Sequence, residues 1–142
     1  MPNDENAARA VRVQQLTGRL LRRMRAHAGD AESLSLTQDW AVALLIENPM
    51  SGAELARVQG VRPQTMSTAL AGLERAGYVR REPDPADGRR VVLHPTAAGI
   101  AAHEDSRARK QQWLQQALAD VGADDLRALD GGLDILDRIA DS

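Results

Sequence analysis

The chain has 142 residues, 43% of them hydrophobic but only 2% aromatic, with no Phe and no Cys, so one domain's worth of chain must build its core from Leu, Val, Ile, Ala and Met. The lack of cysteine excludes disulfides, thiolate zinc sites, cysteine nucleophiles and thiol-based redox sensing. The net charge of −2 conceals an uneven spread: residues 54–94 carry seven Arg against five acids, whereas residues 95–142 carry five basic residues against nine acidic ones.

The opening segment Met1–Ala7 holds Asp4 and Glu5 without an apolar stretch and is not expected to be a signal peptide. The first helix is expected from about Asn6 to Ala28. Ala10, Val13, Leu16, Leu20 and Met24 recur at steps of three and four as a buried stripe, and Arg9, Arg12, Arg19, Arg22, Arg23 and Arg25 cover the remainder. Gly29 and Asp30 end it. Thr37 is the expected N-cap of a second helix, which stops before Pro49. This helix contains Trp40–Ile46, the longest strongly apolar run and far too short to span a bilayer.

Ser51-Gly52-Ala53-Glu54 reads as a capping box opening a short third helix, Gly52–Gln59, which is expected to bury Leu55, Ala56 and Val58. Gly60 is placed to close it in a left-handed conformation, and Pro63 to begin a fourth helix that runs to about Ala76, with Gly77 as its stop. Helix, tight turn, helix is the helix-turn-helix pattern. Tyr78–Glu82 and Arg90–His94 read as two strands around a segment dense in turn formers, Pro83–Arg89. A long helix follows from Pro95 and Thr96 to about Val121. Asp124 is the expected cap of the last helix, where Leu126, Leu129, Leu133, Leu136 and Ala140 form a coiled-coil-like seam.

At 100° per residue, Met66, Ala69, Leu70 and Leu73 of the fourth helix face the core, and Gln64, Thr68, Ala71 and Arg75 face outward beside Ser67 and Gly72. Such an outer face is either ordinary solvated surface or a surface made to enter the major groove, with short polar groups to reach base edges and little bulk. Gln64 can pair with adenine, Ser67 and Thr68 can donate to bases or phosphates, and Thr65 sits where first-turn amides favour a phosphate. Arg62 precedes this helix. The hairpin brings Arg80, Arg81, Arg89 and Arg90 onto one positive edge. Arg89, at the tip, is suited to a narrow minor groove, and Asp87 either orients Arg89 or is a plain charged turn residue.

With those residues in view, the sequence resembles the MarR family. The resemblance rests on Glu54-Leu55-Ala56, Gly60-Val61, Leu73-Glu74-Arg75-Ala76-Gly77-Tyr78-Val79-Arg80-Arg81, Asp84-Pro85-Ala86-Asp87-Gly88-Arg89-Arg90 and Thr96-Ala97-Ala98-Gly99. It departs at Pro95, where the family usually has an aliphatic residue. The resemblance implies a mainly α fold with a small β-hairpin wing, a winged helix-turn-helix in an intertwined helical homodimer. Residues 1–142 would form a single domain, with dimerisation helices at 6–33 and 95–142 and a DNA-binding region at 34–94.

Duplex DNA and a second copy are the expected partners. Arg62, Gln64, Thr65, Ser67, Thr68, Arg75, Arg81, Asp87, Arg89 and Arg90 are the expected DNA contacts, and Val13, Leu16, Leu126, Leu129, Leu133 and Leu136 the expected dimer contacts. The family also has a cleft for small lipophilic or aromatic effectors. Here Trp40, with Met24 and His27, either lines such a pocket or simply packs. His27, His94 and His103 are isolated in sequence and read as surface or interface residues. No cofactor, metal, membrane or catalytic role is expected. A ligand-responsive repressor of the bacterial cytoplasm, associated with the nucleoid, is the implied function. A winged-helix protein-interaction module is the alternative.

Overall fold

A computed structural model describes residues 2–29 and 34–142. Its elements are α1 (Pro2–Ala26), α2 (Leu36–Glu47), α3 (Gly52–Gln59), α4 (Pro63–Arg75), β1 (Val79–Pro83), β2 (Val91–Pro95), α5 (Ala97–Leu118) and α6 (Ala123–Ala140). The order matches the periodicity; α3 has the expected bounds, and elsewhere ends move by at most four residues. The chain divides into two compact units, residues 1–110 and 111–142.

In the first unit, Val42, Leu55, Met66, Leu70, Leu73 and Leu93 are fully buried and form one cluster with Ala41, Leu45 and Val79. α3 and α4 form the helix-turn-helix. Ser51 accepts from the Glu54 amide and Glu54 accepts from the Ser51 amide, the expected capping box. Gly60 closes α3 at φ 65°, in the left-handed region that glycine enters without a Cβ clash. α4 ends in a Schellman motif: Tyr78 donates to the Leu73 carbonyl and Gly77 to that of Glu74, with Gly77 at φ 76°.

β1 and β2 pair antiparallel with Arg80 opposite His94 and Arg81 opposite Leu93. Met50 accepts from the Leu93 amide and adds a single bridge to the hairpin. Pro95 pairs with Val79 at the strand end, where the missing N–H is tolerated. α5 then begins against the α4–β1 turn. Thr96 donates its hydroxyl to the Gly77 carbonyl and its amide to the Tyr78 carbonyl, and accepts from the Gly99 amide. A Cβ at Gly99 would lie 2.1 Å from the Tyr78 carbonyl oxygen, so only glycine admits this docking.

Several expectations need correction. The cap of α2 is Ser35 rather than Thr37, because Ser35 and Gln38 form a second reciprocal capping box. The cap of α6 is Gly122 rather than Asp124, which lies in the first turn, where a carboxylate complements the helix dipole. Val58 is 61% exposed, not buried. The core face of α3 is centred between Leu55 and Ala56, and Val58 falls about 110° away from that centre at 100° per residue. The stripe Val13, Leu16 and Leu20 on α1 stays exposed within the chain instead of buried.

The second unit holds the end of α5 and the amphipathic α6. Leu129, Leu133 and Leu136 are exposed along α6, and Leu126 is half-buried. No helix among the described residues is long and apolar enough to cross a membrane.

Candidate nucleic-acid interface

The outward face of α4 is the centre of the site. Met66, Ala69, Leu70 and Leu73 are buried, which turns Gln64, Thr65, Ser67, Thr68 and Arg75 to solvent. Pro63 opens the helix, and Arg62 occupies the N-cap position without a side-chain cap bond, so this exposed end keeps first-turn amides available to an acceptor. Thr68 donates its hydroxyl to the Gln64 carbonyl at 3.0 Å, leaving that oxygen as an acceptor. An open groove of about 540 Å³ runs between the start of α2 and α4, lined by Thr37, Gln38, Gln64, Thr65, Thr68 and Arg75 among others.

The wing arginines are not equivalent. Arg80 bonds Glu82 at 2.6 Å, Arg81 pairs with Glu74 at the end of α4, and Arg90 pairs with Glu54 of α3. Arg90 also lies 3.8 Å from Asp84, whose amide donates to the Arg90 carbonyl. Arg81 and Arg90 therefore root the wing on the helix-turn-helix. The Ser51 amide bond, with Arg90 adding to it, holds the Glu54 carboxyl below the usual glutamate range. The Arg80 hydrogen bond does the same for Glu82, with a smaller contribution from His94 at 3.3 Å.

Arg89, at the tip, forms no ion pair among the described residues. Asp87 accepts from the Arg89 amide at 3.1 Å and offers its carbonyl to the Arg90 amide. It fixes the turn through the backbone and so aims the Arg89 side chain indirectly. Asp84 does likewise for the preceding turn through the Ala86 amide.

None of the residues named for an effector is buried. Trp40 is half exposed, Met24 is half-buried, and His27 is exposed with Nδ1 2.7 Å from the Arg23 carbonyl. His94 and His103 look isolated in the sequence but are engaged in the fold. His103 Nδ1 lies 2.7 Å from Asp39, and Lys110 reaches the other Asp39 oxygen at 2.7 Å. Sequence reasoning also missed Gln38, which donates to the Ala69 carbonyl of α4. The Ser35-x-x-Gln38 spacing was the one available sign that this glutamine has a structural task.

Comparison with known proteins agrees with this geometry. The family model described as "MarR family" matches residues 33–90. An HTH-type transcriptional regulator of Mycobacterium leprae is 30% identical over 139 residues, 97% of this chain and 96% of that protein. An HTH-type transcriptional repressor of Mycobacterium bovis is 41% identical over 69 residues, 48% of this chain and 50% of that one. Among solved structures, a MarR family protein from Bacillus stearothermophilus has a similar fold, with a TM-score of 0.81 at 18% identity, covering 100% of this chain and 99% of that chain.

Proposed function

Because this chain belongs to the MarR family of winged helix-turn-helix transcriptional regulators, we propose that it works as a homodimeric repressor that reads a pseudo-palindromic operator and responds to a small effector. DNA-binding regulation of transcription is the function of the family. The observation that carries it here is the α4 face: Gln64, Thr65, Ser67 and Thr68 exposed on the first turns, beside a wing whose tip arginine has no ion pair among the described residues. In this reading residues 34–94 bind DNA, and residues 6–33 and 95–142 bring two copies together within one 1–142 domain.

The support for a dimer is apolar. Val13, Leu16 and Leu20 on α1, and Leu129, Leu133 and Leu136 on α6, are exposed in a single copy, an arrangement that asks for a second surface. Two-fold symmetry then sets half-sites one helical turn, about 34–36 Å, apart. The test is sedimentation of the full chain at micromolar concentration, with selection of duplexes from a randomised pool. A dimer that enriches an inverted repeat supports the proposal. A monomer, or a pool left unenriched, overturns it.

The effector reading rests on Trp40, half exposed on α2 with Met24 and His27 on and just beyond α1. A flat lipophilic acid should change Trp40 fluorescence in a Trp113→Phe background and lower DNA affinity by the same coupling energy, typically about 1–3 kcal/mol. Unchanged Trp40 emission across a panel of aromatic acids rejects that pocket.

A further inference from the structure

Gln38 and Asp39 are neighbours in the first turn of α2, yet they grip different helices. Asp39, itself 6% exposed, holds α5 through His103 and Lys110, two turns apart on that helix. Gln38 holds α4: its Nε2 donates to the Ala69 carbonyl at 3.2 Å, while its Oε1 accepts from the Ser35 amide at 2.9 Å. The start of α2 is thus pinned to α5 on one side and to the recognition helix on the other.

Space for the second grip is reserved by Gly72. A Cβ at this position would stand 2.7 Å from Gln38 Nε2. Any other residue would push the amide off the Ala69 carbonyl. A glycine inside a 13-residue helix lowers helix stability relative to alanine, so its presence needs a local reason, and the Gln38 amide supplies one.

We propose that Gln38 is a positioning residue for sequence readout: it sets α4 against α2, which Asp39 in turn fixes to α5, and Gly72 is the room kept for it. The inference rests on the DNA-binding reading above. Base recognition by Gln64 and its neighbours needs side chains held within about half an ångström of the productive geometry, whereas phosphate attraction tolerates displacement. Loss of the brace therefore lowers discrimination between sequences more than it lowers general DNA affinity.

Two variants separate the brace from simple folding. Gln38→Glu keeps the acceptor for the Ser35 amide, and with it the capping box, but removes the donor to Ala69. Its added charge penalises every DNA alike and cancels in a ratio of affinities. Gly72→Ala displaces the amide while favouring the helix, so thermal stability should hold or rise as discrimination falls. The probes are a duplex enriched by the wild-type full chain from a randomised pool and a scrambled duplex of the same composition.

Each single variant should reduce the affinity ratio for these two duplexes about tenfold, and the double variant should fall no further than either single one. Ratios within twofold of wild type in folded variants overturn the proposal and leave the DNA-binding reading intact. So does a Gly72→Ala effect that persists undiminished in the Gln38→Glu background, because Gly72 would then act on DNA directly. A loss seen in Gln38→Glu alone also overturns it, since Gln38 would then be a DNA contact. If the wild-type chain enriches no duplex, the DNA-binding reading itself falls, and this inference with it.

Discussion

Asp39 and Lys110 meet at 2.7 Å with side chains only 9% and 17% exposed, so the only lysine in the chain is committed to a nearly buried carboxylate. His103 takes the other Asp39 oxygen. Removing one partner of a buried pair is more damaging than the pair is worth, because the survivor is left uncompensated. Asp39→Asn strands the ammonium beside a neutral amide and should cost about 3 kcal/mol. Lys110→Met leaves Asp39 its His103 contact and should cost less. Urea denaturation of both variants checks the order, and a costlier Lys110→Met would show that the lysine, not the aspartate, organises the cluster.

The docking of α5 gives a sharper contrast. Gly99→Ala places a Cβ 2.1 Å from the Tyr78 carbonyl, a backbone atom without an easy retreat. Overpacking of this kind should destabilise by about 1–3 kcal/mol or more. Gly131 in α6 has open space where its Cβ would be, and Gly131→Ala should stabilise by about 0.5–1 kcal/mol through helix propensity. Thermal unfolding of the two variants should therefore move in opposite directions.

The wing arginines should divide by their partners. Arg89→Ala should leave thermal stability unchanged and weaken operator binding by about 1–3 kcal/mol. The loss should be larger on A·T-flanked than on G·C-flanked sites, because a narrow groove deepens the potential an inserted guanidinium feels. Arg89→Lys should show the same pattern, since an ammonium is more strongly hydrated. Asp87→Ala should follow more mildly by loosening the turn. Arg90→Ala should lower stability as well as binding, because it unties the wing from Glu54. Equal losses on both flanks, with Lys fully replacing Arg, would make Arg89 a backbone point charge only.

Glu54 predicts a pH signature. Its folded carboxyl titrates below the ordinary glutamate value of about 4.3, chiefly through the Ser51 amide bond and then through Arg90. The stability that this charge contributes is whole above that ordinary value and is lost as pH falls through the lowered one. Glu54→Gln keeps the capping geometry without the charge. The gap in melting temperature between wild type and Glu54→Gln should be constant from neutral pH to about pH 5, begin to narrow as pH falls past the ordinary value of about 4.3, and close only once pH has passed through the lowered folded value. A gap that does not narrow at all as pH falls below the ordinary glutamate value would assign it to packing.

What the sequence made legible was local. The capping box at Ser51 and Glu54, the stop at Gly60 and the buried row Met66, Ala69, Leu70 and Leu73 all follow from spacings of a few residues. Val58 shows the limit of pattern alone, because a two-turn helix leaves the centre of its apolar face uncertain. The glutamates that hold the wing were visible as charges but not as partners: nothing in the order of residues says that Glu74 takes Arg81 or that Glu54 takes Arg90. The Asp39 cluster was less legible still, since its members lie 64 and 71 residues apart and only the docking of α5 brings them together.

The glutamates on the wing and helix-turn-helix also bear on how such a protein finds its site among a genome of wrong ones. Arg80, Arg81 and Arg90 carry their counter-charges with them. Arg57, Arg62, Arg75 and Arg89 form no ion pair among the described residues. Neutralising three of the seven arginines of this region lowers the number of displaced counterions, and with it the hold on arbitrary sequence, relative to seven free cations. The chromosome then sequesters less of the protein as a decoy, and at a given copy number occupancy of the operator rises with the ratio between fitted and unfitted affinities. A short residence on each wrong site favours hopping over long one-dimensional sliding. A net negative charge of −2 is in this sense compatible with regulation at low abundance.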